Sequence, residues 1–254
     1  MIDERVLLGF PIDFKDICQV YPPTVNDVVG NKDFGIYQSL FTMTQEELDK
    51  AFLQDEQINQ VPTPFQYLLI NYHQDEKVRQ KIHDAFSYFI HEPVTIVPEI
   101  EMLLIGKSED EINPDVDLEN PRLLTTENYF DFQNTIRKSM GMENEKSPEL
   151  EEENLDPRIK RYKMKIKQSE ELLKKKKSKQ APTLGTLLTA ICCMGIGLNP
   201  LNIGEISYAC VQWLIAMEQQ KEEYDIDIRA LLAGADSKKV KPKYWIKNID
   251  EKEL

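Results

Sequence analysis

The sequence predicts a mainly α-helical protein with a small β element, an α+β fold, in a chain of 254 residues. Three observations support this class. Apolar residues recur at spacings of three and four in most apolar segments, which is the period of an amphipathic helix. Helix-start signals precede several of these segments, whereas short strand-like runs are confined to two places. A highly charged stretch also interrupts the chain, so we expect folded parts on both sides of it.

The N-terminal part is predicted to open with short strands over residues 6–10 and 12–14. The Pro-Pro pair at 22–23 then forces an extended turn, because proline disfavours helical geometry in the residue before it. Thr24 is placed to cap a short helix over 25–29, since a threonine oxygen can accept a hydrogen bond from the first helical turn.

Four further helices follow, each marked by a start signal or an apolar stripe. They are expected to begin near Asp33, at the capping box Thr44-Gln-Glu-Glu47, at Pro64 and at Asp75. The last of them has a predicted buried stripe of Val78, Ile82, Phe86 and Phe89.

Two more short strands are predicted over 94–97 and 100–105, and pairing with the N-terminal strands is one arrangement that the pattern allows. A polar loop over 107–121 leads to a helix that Thr126 is predicted to cap. Its expected apolar residues are Phe130, Phe132 and Ile136.

A charged arm over 141–181 separates a predicted N-terminal domain, 1–140, from a small C-terminal helical domain, 182–254. Residues 1–157 carry a net charge of −20, and residues 158–179 carry +9. Blocks of like charge stay solvated and cannot close over an apolar core. We therefore expect a linker containing an exposed basic helix, because its heptad-like apolar positions are too few for a coiled coil.

The C-terminal part is predicted to contain three helices. The first has an apolar face over 184–192 and ends near the glycines at 195–197, the second covers 203–217, and the third covers 226–232 and ends at 233–235. A unit of this size has little core, so we expect it to need docking or oligomerisation for stability.

No motif for catalysis stands out. His73, His83 and His91 lack the spacing and the neighbouring ligands of a zinc site, and there is no phosphate-binding loop, complete dinucleotide fingerprint or nucleophile elbow. We therefore expect a protein that is not an enzyme, with no cofactor and no metal.

Composition also limits the compartment and the partners. Four cysteines without a disulfide pattern indicate reduced thiols in a cytosolic compartment, and the N-terminus lacks the pattern of a signal peptide. The apolar stretch over 184–203 is interrupted by polar residues, which disfavours a membrane span. The acidic N-terminal part would repel nucleic acid, so that alternative depends on the basic arm, Arg158–Lys179, in which Lys174–Lys177 could contact phosphate.

Four aromatic residues form a candidate partner-binding site: Tyr208, Trp213, Tyr244 and Trp245. Tyrosine and tryptophan are enriched at the anchors of protein interfaces. Packing within the core of a small domain explains the same residues equally well.

The order of the motifs resembles the tail assembly chaperones of long-tailed bacteriophages, especially phages of Gram-positive hosts. The resemblance rests on the run Val-Tyr-Pro-Pro-Thr-Val-Asn-Asp-Val at 20–28 with the Tyr37–Phe41 helix after it, the lysine-rich connector, and Leu-Asn-Pro-Leu-Asn-Ile at 198–203. It also rests on Ala-Leu-Leu-Ala-Gly-Ala at 230–235 and the following Tyr244-Trp245. These motifs span nearly the whole chain, although none of them contains the residues of a catalytic, cofactor or metal site.

The resemblance implies a non-catalytic protein of the host cell cytoplasm that is absent from the mature virion. Such chaperones bind the long helical tape-measure protein and help recruit tail-tube subunits. By analogy, residues 1–140 would coat the tape-measure protein and residues 182–254 would be a recruiting extension of the type added by ribosomal frameshifting. Whether the protein forms a homo-oligomer is left open. The alternative is a structural virion component such as a neck, tail-terminator or baseplate adaptor protein.

Overall fold

The computed structural model describes residues 4–52, 61–98, 101–106, 122–142, 183–236 and 240–244. It confirms the mainly helical class with small β elements. The chain divides into two compact units, one made of Met1–Asn144 together with Leu201–Leu254 and the other of Glu145–Pro200. The predicted C-terminal domain is thus shared between the two units, and the domain bounds stay a prediction. Past Met142, the charged arm lies outside the described residues, as do the loop over 107–121 and Trp245.

The first unit begins with a helical turn, α1 (Glu4–Leu7), so the predicted strand over 6–10 is wrong. The backbone hydrogen bonds of this region are satisfied within the turn, because the Gly9 and Phe10 N–H groups donate to the carbonyls of Val6 and Arg5. The predicted strand over 12–14 is confirmed as β1 (Ile12–Phe14), which pairs antiparallel with β2 (Cys18–Val20).

Five helices follow with the predicted start signals: α2 (Val25–Gly30), α3 (Phe34–Thr42), α4 (Gln45–Phe52), α5 (Pro64–Gln74) and α6 (Glu76–Ile90). Thr24, Thr44 and Thr63 each accept a hydrogen bond from the third helical residue, and Asp75 caps α6 through the Lys77 N–H. Of the predicted stripe of α6, Ile82, Phe86 and Phe89 are fully buried, and Val78 is half-buried.

A second antiparallel sheet consists of β3 (Val94–Val97), β4 (Met102–Ile105) and β5 (Leu123–Thr125). Pairing of β3 and β4 with the N-terminal strands is therefore wrong, because β3 pairs with β4 and β4 pairs with β5. The three residues of β5 are too few to show a strand pattern in the sequence. Helix α7 (Thr126–Ser139) follows β5 directly. Its capping residue is Thr125, whose N–H donates to Asn128 Oδ1 at 2.9 Å, so the predicted cap is displaced by one residue.

The core of this unit is aromatic. The Phe41 ring meets those of Phe86, Phe89 and Phe132 edge to face, with centroid distances of 5.0, 5.5 and 5.9 Å. Edge-to-face rings add about 0.5–1.5 kcal/mol per pair beyond the apolar area that they bury. In α7, Tyr129 takes the buried position that was predicted for Phe130.

Arg122 connects the N-terminal hairpin to the end of α6. Its two terminal nitrogens donate to the Glu92 carboxylate at 2.6 and 2.7 Å, and its Nε donates to the Ile17 carbonyl. The hydrogen bonds from Arg122 hold the pKa of Glu92 below its usual value. Burial raises the pKa of the neighbouring Cys18 thiol to about 12, so this cysteine stays protonated.

The C-terminal helices are α8 (Leu184–Cys193), which belongs to the second unit, and α9 (Tyr208–Leu232), which belongs to the first. The separate helices predicted over 203–217 and 226–232 are wrong. Residues 203–205 form a single 3-10 turn, and α9 then runs without a break to Leu232. The residues between the two predicted helices are mostly Gln, Lys and Glu, which are good helix formers, so they join the helices. The predicted end is confirmed at Gly234, which has φ +96°.

Candidate interaction site

The segment Leu201–Val211 docks onto the N-terminal residues of the same unit, and we call this contact the docking joint. A β-bridge pairs Thr24 with Ser207 in antiparallel orientation. The Val25 N–H donates to the Ile206 carbonyl at 3.0 Å, and the Tyr208 N–H donates to the Pro23 carbonyl at 2.8 Å. These backbone groups are available because Val25 is the first residue of α2 and Pro23 precedes that helix, so neither group has a partner within it. The joint therefore brings together two of the motifs that carry the sequence resemblance.

Ser207 stabilises both the docking joint and the first turn of α9. Its side chain is buried, with the hydroxyl donating to the Leu7 carbonyl at 2.9 Å and accepting from the Cys210 N–H at 3.1 Å. On the opposite side of the bridge, Thr24 caps α2 and donates to the Asp27 carboxylate at 2.7 Å. The two bridged residues are thus both helix caps, so docking and helix initiation involve the same two residues, and in Ser207 they share one hydroxyl group.

Two glycines allow the close approach in the joint. A β-carbon at Gly141, which has φ +75°, would lie 2.9 Å from the Ala209 Cα. A β-carbon at Gly204 would lie 2.1 Å from the Asn26 Oδ1. Apolar side chains close the space around these contacts: Val6, Val25, Val28, Ile203, Ala209 and Val211 are all buried. Ala209 and Val211 in the first turn of α9 are therefore buried in this contact, and Tyr208 and Cys210 are half-buried.

The Tyr208 ring packs on the N-terminal residues as well. It meets the Phe34 ring edge to face at 5.8 Å, and Phe34 in turn lies 6.0 Å from the ring of Tyr88. Burial raises the pKa of Tyr208, and a hydrogen bond with Gln212 opposes that shift in part. Tyr208 is therefore half-buried in an intramolecular contact.

The other predicted partner-binding residues lie elsewhere. Tyr244 is 52% exposed and its ring contacts that of Tyr224 at 5.7 Å. At about 1.5 Å per residue, Tyr224 lies roughly 24 Å along α9 from Tyr208. The indole Nε1 of Trp213 is buried without a hydrogen-bond partner among the described residues. The structure does not gather Tyr208, Trp213 and Tyr244 into one cluster, and Trp245 lies outside the described residues.

A second candidate site is a groove beside α5, which the sequence did not indicate. It has a volume of about 340 Å³ and is lined by Val61, Pro62, Gln66, Leu69, Ile70, His73, Pro98 and Glu101. Ile70 is 46% exposed. The Glu101 carboxylate accepts from Thr126 Oγ1 at 3.2 Å and so stands fixed at the polar side of the groove. An apolar surface with a fixed carboxylate suits a helix that carries both apolar and basic residues.

The described residues contain no group of three or more His, Cys, Asp and Glu that could hold a metal ion. His83 shares a hydrogen bond of 2.9 Å with the Tyr72 hydroxyl, and His91 stacks on Tyr21 at 4.2 Å. Both histidines thus serve in packing. Within the part of the chain that the structure describes, no helix combines the length and the apolarity needed to cross a membrane.

Comparison with known proteins identifies the C-terminal region alone. Residues 174–250 match the family model described as the YomV second domain. This family is phage-derived, and the match is consistent with a phage protein. No curated protein and no solved structure matches the chain. The matched residues include the 201–211 segment of the docking joint and all of α9.

Proposed function

We propose that this protein is a non-catalytic phage tail assembly chaperone, which binds the tape-measure protein and helps recruit tail-tube subunits. The observation that carries the proposal is the match of residues 174–250 to a second domain of phage-derived proteins. The matched residues fall within 182–254 over most of their length, and the sequence resemblance assigns these residues to the recruiting extension. The rest of the proposal comes from the resemblance and from the surfaces described above.

The groove beside α5 is the client-binding surface in this proposal. A tape-measure protein is a long helix, and an amphipathic helix binds by laying its apolar face into an apolar groove. The net charge of −20 over residues 1–157 would keep the complex soluble and favour basic residues beside the client's apolar stripe. Contacts of this kind are reversible, as a chaperone that is later displaced requires.

The C-terminal end of α9 is the proposed recruiting surface. The helix is fixed at its first turn by the docking joint, whereas Ile226 and Leu232 near its other end are 63% and 84% exposed. Tyr244, beside Tyr224, adds an aromatic residue to this end. Exposed apolar and aromatic side chains on an anchored helix would suit a tail-tube subunit.

Co-expression with the tape-measure protein tests the proposal. We expect the wild-type chain to keep the tape-measure protein soluble and to be recovered with it in a pull-down. The substitution Ile70→Asp places a charge in the groove and should lower the recovered complex at least tenfold, about 1.4 kcal/mol in binding free energy. Ile36→Asp is the matched control, because Ile36 is similarly exposed, at 40%, and does not line the groove. An insoluble client without any complex would contradict the proposal.

Localisation gives a second test, because we propose that the protein acts in the host cytoplasm and leaves before the virion is complete. Mass spectrometry of purified virions should find it absent or far below one copy per tail. A stoichiometric amount would instead support the alternative of a neck, tail-terminator or baseplate adaptor protein.

A further inference from the structure

The Glu101 carboxylate at the edge of the groove beside α5 is held by two polar neighbours. Thr126 Oγ1, in the first turn of α7, donates to it at 3.2 Å, and Gln66 Nε2, in the first turn of α5, lies 3.4 Å from it. The Gln66 amide is oriented by the start of its own helix, because its oxygen accepts from the Thr63 N–H at 3.1 Å. The carboxylate therefore stands at a fixed place, although Glu101 is an exposed residue.

This carboxylate has no cationic partner among the described residues, since both of its neighbours are neutral. It is also the only acidic group among the described residues that line the groove. The turn between β3 and β4 does not require this side chain, because Glu101 has φ +49°, in the left-handed region that favours glycine. A charge held at a strained position beside an apolar surface points to a role in binding.

The groove has a polar end and an apolar middle along α5. Gln66, Ile70 and His73 are spaced by four and three residues, so they follow one another along one face of the helix. Glu101 stands beside Gln66, at the N-terminal end of this face. The apolar Ile70 lies one turn further along, at a distance of about 6 Å. A helix lying along the groove would therefore meet the carboxylate one helical turn away from the apolar contact.

We propose that Glu101 selects the client helix, and that this helix carries a lysine or arginine three or four residues from the apolar side chain that packs on Ile70. Residues at this spacing lie one turn apart on the same helix face. An acidic residue at that place would meet Glu101 with like charge, so helices of that pattern are rejected. This selection rests on the proposed function, in which the groove beside α5 binds the client helix.

Synthetic helical peptides test the selection without the tape-measure protein. Three peptides of about 18 residues, long enough to form a helix in water, would share one leucine stripe. They would differ only in the residues four positions before and after the central leucine, which are both lysine, both glutamine or both glutamate. Placing the residue on both sides covers either direction of binding. Fluorescence anisotropy would give the dissociation constant of each peptide with the full-length chain.

With the wild-type chain at low salt, we expect the lysine peptide to bind about fivefold more tightly than the glutamate peptide, the ratio that an exposed ion pair of about 1 kcal/mol gives. This preference should shrink at high salt, where the charges are screened. Glu101→Gln should remove most of it, and Glu101→Lys should reverse it. Glu222→Lys is the matched control, because it makes the same change of charge at an exposed glutamate of α9 and should leave the preference in place.

Ile70→Asp should weaken binding of the glutamine peptide, because it places a charge in the apolar middle of the groove. Equal binding of the three peptides by the wild-type chain, lost in Ile70→Asp, would overturn the role of Glu101 and leave the groove as a client-binding surface. Absence of binding by every peptide, or an unchanged preference in Glu101→Lys, would also overturn the selection. The proposed function fails on a separate result, a tape-measure protein that stays insoluble and uncomplexed in co-expression.

Discussion

Gly141 lies against the backbone of Ala209, at the point where the end of α7 meets the first turn of α9. A β-carbon added at Gly141 would stand 2.9 Å from the Ala209 Cα and 3.2 Å from its carbonyl oxygen. Both neighbours belong to a helix and cannot rotate away. Gly141 also has φ +75°, which side chains other than glycine rarely adopt. The position therefore requires glycine for two independent reasons.

Replacing Gly141 with alanine should destabilise the protein. The left-handed backbone costs roughly 1–2 kcal/mol for a residue with a β-carbon, and the contact with Ala209 adds to this value. We expect the free energy of unfolding in urea to fall by about 2 kcal/mol or more, with faster proteolysis within residues 201–211. Gly35 is the matched control, because it lies in α3 with an ordinary φ and open space around it. Gly35→Ala should leave stability unchanged or raise it by about 0.4–1 kcal/mol.

We expect a smaller loss of stability from a β-carbon at Gly204, although it would also overlap a neighbouring residue. A β-carbon there would lie 2.1 Å from the Asn26 Oδ1, but Asn26 is an exposed side chain that can turn into solvent. Gly204→Ala should therefore cost less than Gly141→Ala. Asn26→Ala should remove most of the remaining cost, which would give a favourable coupling of about 0.5 kcal/mol or more in a double-mutant cycle. Equal effects of Gly204→Ala with and without Asn26 would show that the overlap does not decide the cost.

The ring of Tyr208 should contribute more to the stability of the protein than its hydroxyl group does. Its ring meets Phe34 at 5.8 Å, so Tyr208→Ala removes an aromatic contact and part of the packing of the joint. Because the side chain is half-buried, we expect a loss of about 1–3 kcal/mol in unfolding free energy. Tyr208→Phe keeps the ring and should lose less than about 1 kcal/mol. Similar losses in the two variants would instead assign the effect to the hydroxyl and its hydrogen bond with Gln212.

Sequence patterns predicted the elements that depend on local interactions. The capping threonines at 24 and 44, the proline that starts α5 and the stripe of α6 were predictable because each involves residues within one or two turns. The strand β5 and the continuity of α9 could not be predicted in this way. The three residues of β5 form a strand only because they pair with the edge of β4. In α9 the apolar pattern stops between the two predicted helices, but the residues there are good helix formers and the helix continues through them.

The candidate sites were less predictable than the helices. Tyr208 lies in the first turn of α9, whereas Tyr244 lies beyond this helix and contacts Tyr224, so the length of the helix separates two residues that the sequence pattern groups together. Ser207 and Gly141 were missed, although each carries a recognisable signal: a serine before a helix and a glycine directly after one. What the sequence does not show is that the start of α9 and the end of α7 meet. The groove beside α5 was missed because its lining residues come from two separate stretches of chain, 61–73 and 98–101.

Acid should weaken the contribution of the Glu92–Arg122 pair. The hydrogen bonds from Arg122 lower the pKa of Glu92 in the folded protein below the usual value of 4.5. A carboxyl group with a lowered folded pKa stabilises the folded state above its unfolded pKa, and this stability is lost as the pH falls through the folded pKa. We therefore expect wild-type protein to unfold at higher urea than Glu92→Gln at pH 7, with the difference shrinking steadily below pH 4.5.

The size of this effect should be modest, because both side chains are partly exposed, at 33% and 39%. The substitution Arg122→Gln tests whether the pair with Arg122 causes the pH dependence that Glu92 contributes. In that background Glu92 has lost its partner, so Glu92→Gln should no longer change the pH dependence of the urea midpoint. If the wild-type difference persisted at pH 3, or if it survived in the Arg122→Gln background, the pH dependence would have to come from other carboxyl groups. Arg122→Gln should also loosen the hairpin formed by β1 and β2, because the Ile17 carbonyl loses its donor.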